Sequence, residues 1–224
     1  MPHVKIWTLN SKLDILEPGL VPYTEAVALQ ESVHKEVLEG SRPDTLILIE
    51  HPPVLTLGAN FHESNLLMPV ESYSAKGIEV VRTGRGGDVT FHGPNQLVIY
   101  PIFDLRKHGQ DLHKYLRDLE EVIIHVLSKF ELEGFRFPPH TGVWVDRALP
   151  RKIAAIGIQV KRWVSMHGIA LNCNNDLSPF DLIVPCGIEG YDVTSVSKET
   201  GRDVSTEMAK PLVIEAIQKV FFAD

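Results

Sequence analysis

Apolar residues recur along this chain at two spacings, and each spacing predicts a different kind of element. The helical spacing covers residues 22–39, 112–132 and about 205–222, so these three stretches are predicted helices. Pro211 interrupts the third helix. We therefore expect the regular part of that helix to begin near Pro211, because the first helical turn tolerates proline.

Shorter apolar runs bounded by turn residues predict strands. The predicted strands cover residues 5–9, 45–49, 54–57, 78–82, 97–103, 142–145, 153–160 and 168–173. We expect the last three to be consecutive strands of one sheet. Three helices among many short strands lack the regular βαβ alternation of a doubly wound fold. The pattern predicts an α+β (mixed α/β) fold, with residues 1–224 in a single domain and a largely antiparallel sheet flanked by helices.

Charge and cysteine content exclude several classes of protein. The 22 Lys and Arg against 29 Asp and Glu give a net charge of −7, which argues against general nucleic-acid binding. Two cysteines, Cys173 and Cys186, exclude a disulfide framework and a four-cysteine zinc site. The histidines show no paired metal-ligand spacing, so we expect no metal. We also expect no cofactor. The chain shows no apolar run as long as a bilayer span and no secretory pattern at its start, so we expect a cytoplasmic protein that binds no membrane.

The segment RGGDVTFHGPNQ (85–96) is the first candidate for chemistry. Adjacent glycines between strands can turn their N–H groups toward a ligand, although a tight turn is the simpler interpretation. In extended chain Asp88, Thr90 and His92 point to one face, because side chains alternate. A polar stripe beside a glycine loop is better suited to the wall of a site than to a core.

Two further residues, Cys186 and Lys152, have reactive side chains. Cys186 lies between Pro185 and Gly187, at a bend where a thiol can be nucleophilic if positive charge is nearby. Lys152 opens a strand of small apolar residues, where it can be partly desolvated. The simpler interpretations are a buried thiol and a solvent-facing lysine. Cys173, inside a predicted strand, is the better candidate for an inert core residue.

These segments together resemble the lipoyl(octanoyl) transferase family. The matching stretches are RGGDVTFHGPNQ (85–96), KIAAIG (152–157), HGIALN (167–172) and FDLIVPCGI (180–188). They stand in the family's order, and their joint occurrence is far more specific than any one of them. Asn95 departs from the family pattern, because glycine is common at that position.

The resemblance implies an acyltransferase of lipoate biosynthesis and protein lipoylation. It would take an octanoyl group from octanoyl-acyl carrier protein and pass it to a lysine on the lipoyl domains of 2-oxo acid dehydrogenase E2 subunits or on the glycine-cleavage H protein. The implied fold is similar to the catalytic domains of biotin protein ligases and lipoate–protein ligases. The implied catalytic residues are Cys186, which carries the acyl group as a thioester, and Lys152. The implied substrate-binding residues are Arg85, Gly86, Gly87, Asp88, Val89, Thr90, Phe91, His92, Ala155, Ile156, Gly157, Gly168, Ile169 and Ala170.

Some details of this function stay open in the sequence. Backbone N–H groups around Gly187 or in the Gly86–Gly87 loop are the candidates for an oxyanion hole. The expected apolar lining of an acyl groove comprises Val89, Phe91, Ile156, Ile158 and Ile169. The expected basic docking surface comprises Arg147, Arg151, Lys152, Lys161 and Arg162, with Arg106 and Lys107 beside them. Alternative functions are an ATP-dependent lipoate or biotin ligase, a thioesterase of the same fold, and a non-catalytic acyl-carrier binding protein.

Overall fold

The computed structural model describes residues 5–9, 12–187 and 190–223, and within these ranges it leaves out the side chain of Cys186. It contains five α-helices in the described ranges. They are α1 (Tyr23–Glu39), α2 (Val70–Ser74), α3 (Leu112–Lys129), α4 (Val196–Thr200) and α5 (Thr206–Phe221). Short 3₁₀ turns cover Glu63–Asn65, Ser178–Leu182 and Pro185–Gly187. None of these helices combines the length and the apolar character that a bilayer span requires.

The strands fall into two sheets. In chain order they are β1 (Lys5–Leu9), β2 (Leu13–Leu20), β3 (Asp44–Glu50), β4 (Val54–Leu57), β5 (Glu79–Arg82), β6 (Val89–His92), β7 (Gln96–Ile102), β8 (Phe135–Phe137), β9 (His140–Val145), β10 (Arg151–Lys161), β11 (Val164–Asn172) and β12 (Asp192–Val193). The large sheet has the order β1-β2-β3-β7-β11-β10-β9-β8, and β12 also pairs with β10. The small sheet has the order β5-β4-β6.

Pairing is mostly antiparallel, as the sequence predicts. The exceptions among the described strands are β2 with β3, β12 with β10 and β4 with β5, which are parallel. The predicted adjacency of strands 142–145, 153–160 and 168–173 is confirmed, since β9, β10 and β11 are neighbours. The fold is therefore the predicted mixed α/β class.

Both faces of the large sheet are covered, and the strand sequences show why. In β3, Leu46 and Leu48 belong to the core under α3 and α5, whereas Ile47 and Ile49 belong to the core under α1. A strand covered on both faces reads as an unbroken apolar run rather than an alternation. A third cluster, which includes Leu55, fills the small sheet.

Side chains that accept hydrogen bonds from backbone N–H groups determine where α3 and α5 begin. Asp111 caps α3 by accepting hydrogen bonds from the backbone N–H groups of His113 and Lys114. Ser205 caps α5 by accepting from Met208 N–H, so this helix begins a turn before Pro211. The expectation that the regular helix starts near Pro211 is wrong, because a hydroxyl cap fixes the start upstream and the proline is accommodated inside the helix.

Candidate active site

A cavity of about 380 Å³ lies between the two sheets. Its walls come from the segment between β5 and β6, from β10 and β11, from the start of α1 and from the β8–β9 hairpin. Thirteen of the sixteen predicted site residues line it: Arg85, Gly86, Gly87, Asp88, Thr90, His92, Lys152, Ala155, Ile156, Gly157, Gly168, Ile169 and Ala170. Stretches far apart in the sequence are thus brought to one place.

Two predicted residues face away from this cavity. Asp88, Thr90 and His92 line it, as the alternation of side chains predicts, whereas Val89 and Phe91 belong to the core of the small sheet. Phe91 packs edge-to-face on Phe180 at 5.7 Å between ring centroids. The expectation that Val89 and Phe91 line the acyl groove is therefore wrong. A strand with one polar face toward a cavity presents its apolar face to the core behind it.

The Arg85–Gly87 loop is pressed against β10. Gly86 N–H donates to the Ile158 carbonyl at 2.8 Å, and a Cβ built on Gly157 would lie 2.8 Å from the Gly86 carbonyl oxygen. The Arg85 guanidinium, itself buried, donates to the carbonyl of Thr56 at 2.5 Å and to its hydroxyl at 2.9 and 3.0 Å. Arg85 thus ties the loop to β4, and the glycine on β10 permits the close approach.

Lys152 is a buried lysine on the cavity wall. Only 6% of it is exposed, which confirms the expected desolvation. Its Nζ lies 5.1 Å from the centre of the Trp144 ring, a favourable cation–π distance. A Cβ built on Gly142 would lie 3.1 Å from Lys152 Cε, so the side chain passes over that glycine. None of the described residues forms a hydrogen bond or an ion pair with the ammonium, so it is available to a ligand or to Cys186.

The Cys186 turn is held by residues of the small-sheet side. Val184 N–H donates to the Asn65 carbonyl at 2.9 Å, and Asn65 Nδ2 donates to Asp88 Oδ2 at 2.7 Å. Gly187 has φ +65°, and a Cβ built on it would lie 3.2 Å from Asn65 Nδ2 and 3.3 Å from Asp88 Oδ2. The backbone next to Cys186 thus packs on Asn65 and Asp88, although the thiol itself lies outside the described residues.

A second, much smaller cavity of about 10 Å³ connects this turn with Lys152. Both Lys152 and Pro185 line it, together with Val193 of β12. The parallel pairing of β12 with β10 places Val193 beside Lys152, and Thr194 N–H donates to the Lys152 carbonyl at 2.9 Å. Val193 and Thr194, which follow the cysteine turn in the sequence, therefore contact the strand that carries the lysine.

The comparisons with known proteins agree with this architecture. Residues 22–218 match the family model of the lipoyl protein ligase A/B catalytic domain. The chain belongs to this family. An octanoyltransferase of Geotalea uraniireducens is 48% identical over 192 residues, which cover 86% of this chain and 85% of that protein. The predicted family and acyltransferase class are confirmed.

Solved structures show the same fold at low sequence identity. A putative lipoate protein ligase from T. acidophilum with bound lipoic acid superposes with a TM-score of 0.74 at 16% identity, over 96% of this chain and 88% of that one. A biotin protein ligase from Aquifex aeolicus in complex with biotin and ATP gives 0.56 at 12% identity, over 94% and 70%. The predicted likeness to lipoate and biotin ligases in fold is confirmed.

Within the site of this family member, His92 is held as a neutral imidazole. Gln96 donates through Nε2 to the carbonyl of Phe91 and to Asn172 Oδ1, so its Oε1 is the acceptor for His92 Nδ1–H at 2.7 Å. His92 Nε2 is then unprotonated and lies 3.4 Å from the Thr56 hydroxyl. Burial, more than any neighbouring charge, lowers the pKa of His92 to about 3.

His51 and Tyr100 form a second polar pair behind the cavity. His51 Nδ1–H donates to the Val21 carbonyl at 2.7 Å, so its Nε2 accepts from the Tyr100 hydroxyl at 2.8 Å. Burial lowers the pKa of His51 to about 4 and raises that of Tyr100 well above its usual value. Both groups are neutral at physiological pH, so this region offers hydrogen bonds without charge.

Several lining residues were missed from the sequence. Beyond Ile158, which was expected, these are Tyr23, Asn60, Val98, Tyr100, Leu116, Pro139, His140, Thr141 and His167. The alternation in β7 was a usable signal for Tyr100, because a tyrosine in an otherwise apolar strand needs a hydrogen-bond partner. Tyr23 and Leu116 carry no such signal, since each lies in an ordinary helical pattern.

Cys173 is the inert thiol that the sequence predicts. It is fully buried in the core under α3 and α5. Burial raises the pKa of its thiol to about 12. A thiol of that pKa, buried in an apolar core, is no nucleophile at neutral pH.

The expected basic docking surface does not form as one patch. Arg147 pairs with Glu133, and Arg151 pairs with Glu199, while Lys152 is buried. Lys161 stands nine residues from Lys152 on β10, roughly 30 Å away at about 3.3 Å per residue. The expectation fails because sequence proximity along an extended strand does not bring charges to one surface.

Proposed function

We propose that this chain transfers an octanoyl group from octanoyl-acyl carrier protein to a lysine of a lipoyl domain, through a thioester on Cys186. The acceptors are lipoyl domains of 2-oxo acid dehydrogenase E2 subunits and the glycine-cleavage H protein. Residues 1–224 act as one catalytic domain in the cytoplasm. Support comes from the octanoyltransferase relative and from the geometry of the site.

One observation carries the proposal: a buried lysine without a partner among the described residues shares a cavity with the residue next to Cys186. Lys152 lines both cavities, and Pro185 lines the smaller one. Burying an ammonium without a counter-charge is costly. A thiolate on Cys186 would supply that counter-charge, and the ammonium would in turn favour the thiolate.

In the first step the Cys186 thiolate attacks the carbonyl carbon of the donor thioester. A C–S bond forms to Cys186, and the C–S bond to the pantetheine sulfur of the carrier breaks. The leaving thiolate takes a proton from the Lys152 ammonium, which becomes a neutral amine. One thioester replaces another, so this step is close to balanced in free energy.

In the second step the amine of the acceptor lysine attacks the Cys186 thioester. The C–N bond of the amide forms, the C–S bond breaks, and the proton released by the amine passes to neutral Lys152. Cys186 and Lys152 return to their starting charges. An amide is much more stable than a thioester, so the transfer runs downhill without ATP.

The main cavity has the lining that an acyl chain needs. Ile156, Ile158 and Ile169 line it, with Val98 beside them. Burying the seven methylene-type carbons of an octanoyl chain contributes on the order of 5 kcal/mol at about 0.8 kcal/mol each. One carbon more or less changes such binding by only about 10- to 200-fold, so the chain-length preference is expected to be real but incomplete.

The backbone hydrogen bonds narrow the choice of oxyanion donor. Gly187 N–H donates to the Val184 carbonyl, and Gly86 N–H donates to Ile158. Gly87 N–H has no acceptor among the described residues, and Gly87 lines the main cavity with φ +86°. We therefore assign the oxyanion contact to Gly87 rather than to Gly86 or Gly187.

The test is intact mass spectrometry after mixing the protein with octanoyl-acyl carrier protein in the absence of ATP. We expect one octanoyl adduct on Cys186 that hydroxylamine removes and that a lipoyl domain discharges with formation of octanoyl-lysine. Cys186→Ser should give no transfer, and Cys173→Ser should behave as the wild type. An adduct on Cys173, or no adduct at all, would contradict the proposal.

The same mixture separates the alternatives. An ATP-dependent ligase would form octanoyl-lysine only when ATP and free octanoate are supplied. A thioesterase would release octanoate at the same rate with and without the lipoyl domain.

A further inference from the structure

Helix α3 buries a carboxylate in an otherwise apolar face. Glu120 is fully buried, next in sequence to Leu119 and close to Val122 and Ile123, which belong to the core. Removing a carboxylate from water is unfavourable unless hydrogen bonds and opposite charge replace the lost solvation. The hydrogen-bond partners of Glu120 therefore determine what its carboxylate does.

Those partners connect α3 with the β8–β9 hairpin. Glu120 Oε2 accepts from Arg117 Nη1 at 2.6 Å, one turn earlier on α3, and from Arg136 Nε on β8 at 3.1 Å. Glu120 Oε1 accepts from Gly142 N–H on β9 at 3.1 Å. One carboxylate oxygen thus binds the two arginines, and the other binds the backbone of β9.

Gly142 is the residue over which Lys152 passes. It has φ +124°, which favours glycine, and a Cβ there would lie 2.6 Å from the Ala154 carbonyl oxygen and 3.1 Å from Lys152 Cε. The same hairpin places His140 in the wall of the main cavity and Trp144 under the Lys152 ammonium. The position of the hairpin therefore sets the position of the lysine side chain.

Global stability alone does not explain a carboxylate at this place. As a source of stability, a buried ion pair is often no better than a set of apolar residues that replaces all of its members, whereas removing one member alone is destabilising. A leucine at residue 120 would suit the surrounding core but could not accept the Gly142 N–H. Among the described residues, the Glu120 carboxylate is the acceptor that holds the Gly142 N–H.

We propose that Glu120 is a positioning residue for Lys152, acting through Gly142 and the β8–β9 hairpin. The inference rests on the proposed role of Lys152 in acyl transfer. Glu120 touches no substrate. It holds the backbone that supports the Lys152 side chain beside the Cys186 turn.

The test compares Glu120→Leu, Glu120→Gln and Glu121→Gln in single-turnover acylation by octanoyl-acyl carrier protein, with the Tm of each variant. We expect Glu120→Leu to slow acylation about tenfold or more at saturating donor, with unchanged half-saturation, and to lower the Tm, because Arg117, Arg136 and the Gly142 N–H lose their acceptor. Glu120→Gln keeps an oxygen for Gly142 N–H and should restore most of the rate. Glu121→Gln is the matched control, because Glu121 also binds Arg136, at 2.6 Å, but has no bond to Gly142.

A second arm uses Lys152→Met as the background. If Glu120 acts through Lys152, Glu120→Leu should slow the residual acylation no further when Lys152 is absent. An equal loss in both backgrounds, or wild-type acylation by Glu120→Leu, would overturn the inference. Should Glu120→Leu fail to fold, Glu120→Met, which has similar length and also lacks an oxygen for the Gly142 N–H, takes its place in the two backgrounds. Wild-type acylation by Lys152→Met would instead refute the proposed function itself.

Discussion

The buried histidines make the stability of this protein sensitive to mild acid. Burial is the main cause that lowers the pKa of His92 to about 3 and the pKa values of His51 and His167 to about 4, from an ordinary 6.5. Above pH 6.5 these imidazoles are neutral in both the folded and the unfolded chain. Below pH 6.5 the unfolded chain binds protons that the folded chain does not bind. The free energy of unfolding therefore decreases as the pH is lowered.

The size of the effect follows from these values. Each pH unit between 6.5 and the folded-state pKa costs about 1.4 kcal/mol per histidine. Lowering the pH from 6.5 to 5.0 therefore costs about 2 kcal/mol for each of the three, or about 6 kcal/mol in all. A typical domain has only about 5–15 kcal/mol of unfolding free energy, so much of the stability is lost while the carboxylates are still ionised.

Urea unfolding followed by tryptophan fluorescence at pH 7.0, 6.0 and 5.0 measures this directly. The free energy of unfolding should fall steeply between pH 6 and pH 5. In His51→Gln, which has no imidazole at this place, the slope should be shallower by about 1.4 kcal/mol per pH unit. A free energy that stays constant from pH 7 to pH 5, or a His51→Gln slope equal to that of the wild type, would refute the reasoning.

Three further predictions concern the loop, the thiols and the cysteine turn. Gly157→Ala puts a methyl group 2.8 Å from the Gly86 carbonyl oxygen, so overpacking should cost about 1–3 kcal/mol and lower the Tm by about 2–4 °C per kcal/mol in a thermal melt. Iodoacetamide at pH 8 should label Cys186 alone in the folded protein and Cys173 also after denaturation, as peptide mapping would show. Asn65→Ala removes a hydrogen bond to a carboxylate, a contact of about 1.5–3 kcal/mol, and should slow acyl-enzyme formation about tenfold in the mass-spectrometric assay.

Elements whose apolar residues recur at a regular spacing could be predicted from the sequence. Helix α1 was predicted over residues 22–39 and spans Tyr23–Glu39. Helix α3 was predicted to end at Leu132, but it ends at Lys129, because the chain turns through Phe130 and Glu131 has φ +62°. Nothing in the apolar spacing marks that early end, since Leu132 continues the helical period.

Strand β2 was missed because its sequence argues against a strand. LDILEPGL contains Pro18 and Gly19, which normally end extended structure. The structure accommodates them by a register shift in the pairing of β2 with β3 between Leu16 and Gly19. The sequence also predicts β4 as a strand, but it does not predict the separate small sheet to which β4 belongs. The pairing of strands into sheets depends on tertiary packing, which the apolar spacing of one strand does not reveal.

Asn95 shows how a departure from the family pattern is absorbed. Glycine is expected there, and Asn95 adopts φ +64°, in the left-handed region that asparagine tolerates better than most residues. Its backbone N–H donates to Glu50 Oε2 at 2.6 Å. The loop geometry is therefore kept by a residue with a modest conformational cost.

The site lies where the large sheet and the small sheet meet, and this explains why its nucleophile and its amine are so far apart in sequence. Lys152 belongs to the large sheet, whereas the turn that carries Cys186 is fastened through Asn65 to the small-sheet side. The contacts that join the two sides include the bond from Gly86 N–H to the Ile158 carbonyl and the pairing of β12 with β10. A substitution at this junction can therefore change the distance between thiol and amine without touching either group, whereas the outer strand β1 has no comparable influence.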